Sequence, residues 1–328
     1  IATGSKVYKL SSSSTNQTPL PGSTLISAAE TIYKSEGTWE ERQRISTKTT
    51  TIYYVDPLAQ SFSVGGVTEA SNGLKPNEEE YILMGMAAYG EPHYLKEMLT
   101  LFDDTTTLDF KENLHIGVSK DFLPNANEMD IACSAQEMVE WLIKMVMSKA
   151  RDVGTSRNLV YGGGVALNCL ANRLLGNYFE NIWIMPNPGD AGSSLGAAAL
   201  AYGQQLNWQS AYLGHEIPGP YPVNQILDEL VVNKIAGVAS GRAEFGPRAL
   251  GNRRLLADPR GPDIKDQVNA IKRRQKFRPF APVILAELAN DFFSMPRGFS
   301  TSPYMQSIAI CRDPDTYPAI VHHDGTSR

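Results

Sequence analysis

Cysteine, histidine and long apolar runs are all scarce in this chain. Its 328 residues include 3 Cys and 5 His. Cys133, Cys169 and Cys311 lie far apart, without the paired spacing of a zinc site or a disulfide framework, so a reducing, cytoplasmic setting is expected. No stretch reaches the roughly 18 apolar residues that a membrane-spanning helix needs. The residues after Ile1 lack the charged start, apolar middle and small-residue end of a secretory signal, and the chain reads as the interior of a longer one. An excess of one charge is also missing: 30 Lys plus Arg face 35 Asp plus Glu, a net −5 at pH 7. That mild acidity argues against general nucleic-acid binding, yet leaves room for a local basic cluster that meets one phosphorylated ligand. A hydrophobic share of 42% with 20% charged residues excludes collagen and wholly disordered chain. The length suits about two domains.

Composition shifts near Asn72. Before it, 23 of 72 residues are Ser or Thr, with short β-leaning runs such as Thr51 to Val55, the texture of exposed strands and loops. After Gly73 the pattern becomes α/β. Helices are predicted over Glu78 to Ala88 and Ala135 to Arg151, the second with Met138, Leu142, Met145 and Val146 at helical spacing. The apolar runs Asn158 to Tyr161 and Asn181 to Met185 each end in a Gly- or Pro-rich turn before a predicted helix, which argues for a parallel sheet with functional loops at the strand ends. Pro218, Gly219 and Pro220 mark a linker over His215 to Tyr221. Strands of a second domain are expected at Lys234 to Ala239, Pro282 to Ala286 and Gln306 to Cys311. The division is thus 1–72, 73–214 and 215–328.

Four motifs carry candidate chemistry. In Tyr161-Gly162-Gly163-Gly164-Val165-Ala166-Leu167-Asn168, three glycines without Cβ let backbone approach a nucleotide; the same residues also suit a plain strand-to-helix turn. In Pro186-Asn187-Pro188-Gly189-Asp190-Ala191-Gly192, Asp190 reads either as an N-cap or as a carboxylate aimed at a divalent cation. The stretches Gly241 to Arg254 and Ile271 to Pro282 hold nine Lys or Arg side chains, interleaved with Gly, Pro and Phe that fix backbone shape. Guanidinium forks and Lys point charges suit a small polyphosphate or acyl phosphate better than DNA. Last, His322 and His323 are adjacent and point apart on a strand, so one of them serves to bond a substrate or orient Asp324 rather than to pair on a metal.

Six segments keep a recognisable order. Glu80-Tyr81-Ile82-Leu83-Met84-Gly85-Met86-Ala87-Ala88-Tyr89-Gly90-Glu91-Pro92, the triple glycine, Gly189 to Gly192, Glu244 to Asn252, Lys272 to Pro282 and the His323 to Arg328 end together resemble the O-carbamoyltransferases of nodulation-factor and antibiotic biosynthesis, over roughly Gly73 to Arg328. The resemblance implies an α/β architecture: the second part of an actin-like, sugar-kinase-type domain, followed by a YrdC-like α/β domain. It implies that carbamoyl phosphate and ATP give carbamoyl adenylate in the second domain. The first domain, with a divalent metal, iron or Mg, passes the carbamoyl group to the hydroxyl of a small-molecule acceptor.

Residue by residue, the resemblance gives Lys272, Arg278 and Arg248 catalytic roles and places Arg253, Arg274 and His323 on the phosphate or substrate. It gives Gly163, Gly164 and Asn168 to the nucleotide and Asp190 to the metal. Ile82 stands where many members carry Lys, so that stretch is not expected to supply a phosphate cation. A homodimer is the default assembly. Residues 1–72 fit the pattern poorly, and Val55 to Phe62 faintly resembles tailed-phage virion proteins, so a virion or composite chain without turnover is the contrasting reading. Threonylcarbamoyl transfer in tRNA modification is a third.

Overall fold

The computed structural model describes residues 8–10, 52–54, 80–105, 109–111, 118 and 122–328. Strands β1 (Tyr8–Leu10) and β2 (Ile52–Tyr54) pair antiparallel. The rest of the first 79 residues, with the Ser/Thr-rich tract and the Val55 to Phe62 phrase, lies outside the described residues.

Helix α1 (Glu80–Met86) runs into a tight turn at Ala87–Tyr89; of the 78–88 span that the sequence predicts, residues 78 and 79 lie outside the described residues. The turn ends at Gly90 in extended backbone, where a side chain has no room against the Met129 carbonyl. Then come α2 (Leu95–Leu99), the short hairpin β3 (Phe102–Asp104) with β4 (Asp109–Phe110), and α3 (Glu128–Val153). Helix α3 starts seven residues before the predicted Ala135 because the Asn127 side chain accepts the Met129 N–H at 2.8 Å. Its buried residues Ile131, Ala135, Met138, Leu142 and Val146 recur at three- and four-residue intervals and form the spine of the main core.

Strand β5 (Asn158–Tyr161) is parallel to β6 (Asn181–Ile184), as expected, and short helix α4 (Cys169–Asn172) lies between them in the chain. Helix α5 (Ser193–Tyr202) ends in left-handed Gly203. The expected linker does not hang free. Within it β7 (Glu216–Ile217) pairs with β9 (Gly241–Arg242), and the His215 carbonyl accepts the Ala243 N–H at 2.9 Å.

Helix α6 (Val223–Asn233) leads to β8 (Ile235–Ala239), which pairs antiparallel with β10 (Arg253–Ala257). Helix α7 (Ile264–Ile271) packs Ile264 and Val268 against Ala319. Helix α8 (Ala289–Phe292) precedes a three-stranded antiparallel sheet of β11 (Phe293–Ser294), β12 (Ala309–Cys311) and β13 (Thr326–Ser327).

Two strand expectations fail. No strand forms over Pro282 to Ala286; this segment runs without regular structure into a turn at Ala286–Leu288. Among the described residues no strand pairs with this segment. Of Gln306 to Cys311, only Ala309–Cys311 is strand. Gln306 bonds elsewhere: its carbonyl accepts from Asn172 Nδ2 at 2.7 Å and its own Nε2 donates to the Met185 carbonyl.

Those bonds belong to a polar seam between residues 80–202 and the later elements. His322 Nε2 donates to the Gly85 carbonyl at 3.0 Å, Arg328 Nη1 to Met84 at 3.1 Å, and the Tyr89 hydroxyl to Phe277 at 3.3 Å. Close backbone packing adds to the seam. Gly298, at φ 83°, is so near Gly176 that a Cβ would come 2.9 Å from the Gly176 Cα. Among the described residues no helix is long and apolar enough to cross a membrane.

Candidate functional site

The parallel pair ends at Tyr161 and Ile184, so the triple glycine and the Pro186 to Gly192 turn emerge side by side. Gly163, at φ 98°, donates its N–H to the Pro188 carbonyl at 2.7 Å. That conformation suits glycine and strains any L side chain. Gly246, at φ 136°, brings the Glu244 to Asn252 loop onto the same turn; a Cβ on it would lie 2.5 Å from the Pro186 carbonyl oxygen. Three of the sequence motifs therefore meet at one place.

Their polar groups are largely satisfied within the fold. Asn168 Oδ1 caps α4 by accepting the Ala171 N–H at 3.1 Å, and its Nδ2 donates to Gln136 Oε1 at 2.9 Å. Gln136 in turn donates to Glu140, which holds Arg173 through two bonds of 2.6 and 2.8 Å. Gly164 opens a buried turn. Asp190 is exposed and is the first residue of its turn; Gly189 occupies the N-cap position and no side-chain cap bond forms. Among the described residues no three His, Cys, Asp or Glu side chains converge as a metal site.

The Glu244 loop is closed by its carboxylate, which accepts the N–H groups of Leu250 and Asn252, both at 2.8 Å. Burial works to raise the Glu244 pKa, but these backbone donors outweigh it and leave the group below the ordinary carboxylate range. Arg248, on this loop, has a buried Nε without a hydrogen-bond partner among the described residues. Its charge, with that of Arg328, acts on the Cys169 thiol, although burial dominates there and raises the thiol pKa. Burial first, then Glu91 and other nearby carboxylates, pushes Cys133 up to about 11. Neither cysteine is a thiolate nucleophile at neutral pH.

Adjacent arginines on β10 take opposite roles. Arg253 donates to the carbonyls of Ser240, Asn252, His215 and Gly241 at 2.8–3.1 Å, a clamp that holds the β8–β10 end together. Arg254, one of the nine cations of the basic stretches but given no role of its own from the sequence, lines a cavity of about 250 Å³ together with Lys272, Phe280, Asp258, Phe293 and Tyr317. Burial lowers the Arg254 pKa despite the opposing charge of Glu244. The alternation of a strand separates the two neighbours, and only the pairing of β8 with β10 shows which face is which. Asp258 is held by Arg260 at 2.8 Å, first of all, and is lowered well below the usual carboxylate range, so it stays anionic and engaged.

Lys272 sits at the C-terminal end of α7, its Nζ 5.9 Å from the centre of the Phe280 ring. Desolvation lowers its pKa, followed by the charges of Arg274, Arg254 and Arg278. Arg274 lies 4.4 Å over the same ring and bonds Asn269 Oδ1 at 2.5 Å and the Pro279 carbonyl at 3.2 Å. Burial, then Arg278, brings it down to about 10. Four cations thus act on one another beside the cavity. Asn269, fully buried, organises them: its Nδ2 donates to the carbonyls of Lys276 and Arg278, each at 3.1 Å. An apolar-periodic reading of α7 gives no sign of this amide.

The two histidines part company, but not through strand alternation: His322 has no regular structure and His323 lies in a turn before β13. His322 is buried and, by desolvation first, lowered to about 4, while His323 stacks on the Tyr89 ring with centroids 4.6 Å apart and 9° between planes. Asp324 is oriented not by either histidine but by Thr326 and by Arg328, whose Nη2 lies 2.7 Å away.

Comparison with known proteins fits this arrangement. Residues 28–199 match a family model described as "Carbamoyltransferase N-terminus", and residues 227–328 one described as "Carbamoyltransferase C-terminus". The first match takes in residues 28–72, including the phrase on which the virion expectation rested. Among similar proteins, the nodulation protein NolO of Bradyrhizobium diazoefficiens is 32% identical over 300 residues, covering 76% of this chain and 53% of that protein. An uncharacterized Synechocystis protein, sll1178, is 35% identical over 297 residues, 74% of this chain and 48% of its own length. Nodulation protein U of Bradyrhizobium diazoefficiens is 32% identical over 340 residues, 84% of this chain and 58% of that protein. The chain spans about half the length of the curated relatives it matches. Matched by both terminal models of one family, with the motif loops and the basic cluster assembled around their seam, the chain belongs to the carbamoyltransferase family.

Proposed function

We propose that the protein is an ATP-dependent O-carbamoyltransferase in which carbamoyl phosphate is the donor and a small-molecule hydroxyl the acceptor. The observation that carries this reading is the cation cluster: Arg254 and Lys272 line one cavity, and burial first, then the charges of Arg274, Arg254 and Arg278, lower the proton affinity of Lys272. Cations brought together against their repulsion, with the one cavity carboxylate already engaged by Arg260, suit a ligand carrying several negative oxygens. Carbamoyl phosphate and the triphosphate of ATP are such ligands.

In this reading, residues 73–214 belong to an actin-like, sugar-kinase-type domain and residues 215–328 to a YrdC-like one. In the latter, Lys272, Arg254 and Arg278 hold the donor and the triphosphate. Water first cleaves the O–P bond of carbamoyl phosphate, releasing phosphate and freeing carbamate; a carbamate oxygen then bonds to the α-phosphorus of ATP as the bond to the β-phosphate oxygen breaks, so pyrophosphate departs and carbamoyl adenylate remains. Electrostatic stabilisation of the departing groups is the natural work of fixed guanidinium and ammonium charges. In this reading Arg248 donates to the carbamoyl group as it passes to the acceptor alcohol, a role supported by its buried Nε having no partner among the described residues. The polar seam keeps water from an intermediate that hydrolyses readily. A divalent metal would supply Lewis acidity for the transfer. Asp190 is the carboxylate this chain would contribute, but without further donors among the described residues these residues do not make the site, and no step is derived through it.

The test is release of pyrophosphate from ATP by the full-length protein, with and without carbamoyl phosphate and with and without ferrous iron. Release that requires carbamoyl phosphate is the expected result. Its absence from folded protein under every metal condition removes adenylate formation.

A further inference from the structure

Lys272, Arg274 and Arg278 carry like charge at close quarters; burial first, then neighbouring guanidinium charge that includes Arg278, lowers the proton affinity of Lys272 and Arg274. Lys272 and Arg274 share the Phe280 ring, and Arg274 is fixed further by Asn269 and Pro279. Arg278 lacks such local anchors. Among the described residues no carboxylate pairs with it, and its guanidinium carbon lies instead 4.7 Å from the centre of the Tyr81 ring on α1. Asn269 holds the Arg278 carbonyl, so the backbone is set while the side chain is free to swing. Repulsion from Lys272 and Arg274 would drive that swing outward. The face of an aromatic ring opposes it.

We propose that Tyr81 is a positioning residue of the anion site, holding Arg278 toward the ligand from the other side of the seam. The inference rests on the proposed reading of the cation cluster as an anion site. Two observations support it besides the ring contact. First, α1 is docked rigidly on the basic loop: the Tyr89 hydroxyl bonds the Phe277 carbonyl, a Cβ at Gly85 would touch the Phe277 ring at 3.5 Å, and Ile82 and Leu83 are buried in the main core. Second, Tyr81 itself is 42% exposed, so burial does not account for an aromatic ring at this place. In the sequence motif that holds Tyr81, Ile82 is part of the core. The motif's contribution is a ring that aims a cation supplied by the other region.

The experiment compares Tyr81→Leu, Tyr81→Phe, Arg278→Ala and the Tyr81→Leu/Arg278→Ala double variant in the full-length protein. Leu keeps apolar bulk and helix propensity without a ring face; Phe keeps the ring and drops the hydroxyl. Tyr81→Leu is expected to raise the KM for carbamoyl phosphate in pyrophosphate release about fivefold, with an unchanged thermal midpoint. Tyr81→Phe is expected to restore the wild-type constant, and in the Arg278→Ala background Tyr81→Leu is expected to add nothing. A Phe variant as impaired as Leu, or an equal Leu effect with and without Arg278, overturns the role.

Titration of pyrophosphate against the same variants by calorimetry reads anion affinity without turnover. Wild-type protein that binds pyrophosphate but never turns over, with binding weakened by Tyr81→Leu, removes the carbamoyl reading and keeps the inference. Wild-type turnover with a Tyr81→Leu variant indifferent in both assays does the reverse.

Discussion

Two loops in this protein look equally equipped for a phosphorylated ligand in the sequence, and the structure separates them. The glycine loop after β5 turns its polar groups inward: the Gly163 N–H goes to Pro188, and Asn168 is divided between the Ala171 N–H and Gln136. The basic loop after α7 keeps its backbone in order through one buried amide, Asn269, and leaves charged groups beside a cavity. The difference lies in where satisfaction comes from. A loop whose side chains satisfy its own backbone has little left for a ligand, whereas a loop organised by a neighbour can present unmatched charge.

The largest effect that sharpens this contrast is expected from Asn269→Ala. The amide is fully buried and serves two carbonyls and Arg274. Its removal leaves those groups unpaired, at a cost of about 2–4 kcal/mol. Denaturant unfolding should show that loss, together with a weakened response of pyrophosphate release to carbamoyl phosphate. A stable variant with normal kinetics would show that the basic loop orders itself.

Next in size is an acid effect at the seam that joins the two loops. His322 is held neutral in the folded chain, at about 4, by burial first and by Arg328; the Gly85 carbonyl, Asp324 and Lys265 act with smaller weight. The unfolded chain takes up a proton near the ordinary histidine value of about 6.5. Between about pH 6.5 and 4 the unfolded state therefore binds more protons, and stability falls as pH falls, by up to about 3 kcal/mol. Unfolding midpoints measured from pH 7 to pH 4 should show that slope, and His322→Gln should flatten it.

Much of this arrangement is legible in the residues alone, and the gaps have physical reasons. Parallel strands β5 and β6 follow from short apolar runs with glycine or proline behind them, and the basic cluster follows from composition. Arg254 and Asn269 do not. Arg254 sits beside Arg253 in the sequence, and only the register of β10 on β8 sends one to carbonyls and the other to the cavity. Asn269 lies in a helix whose pattern speaks of apolar faces, and its partners become visible only when the chain folds back at Lys276 to Arg278. The strand expected at Pro282 to Ala286 failed because β-leaning residues count for little without a partner strand, and among the described residues none pairs with this segment.

Lys272→Ala tests the basic loop without disturbing its backbone. Lys272 is exposed at the end of α7. Stability should hold, while the KM for carbamoyl phosphate rises about tenfold, the size of one charge-assisted contact. An unchanged constant would remove Lys272 from the ligand. The counterpart on the glycine loop is Asn168→Ala, expected to lower stability by about 1 kcal/mol through the lost cap and to leave the KM for ATP unchanged. A raised constant for ATP at wild-type stability would reverse the contrast between the two loops.

The smallest expected effect is at Asp190, where the glycine side of the comparison meets its sharpest alternative. As an N-cap, this carboxylate would stabilise its turn by about 1 kcal/mol, but Gly189 holds that position and Asp190 follows it, exposed. Asp190→Ala should therefore change the thermal midpoint by no more than a surface substitution does, within about 0.5 kcal/mol. A loss of about 1 kcal/mol or more would make Asp190 a structural residue. A thermally silent variant that binds less ferrous iron, measured by equilibrium dialysis on the full-length protein, would instead make it a ligand, and would return a share of the chemistry to the loop whose other polar groups face inward.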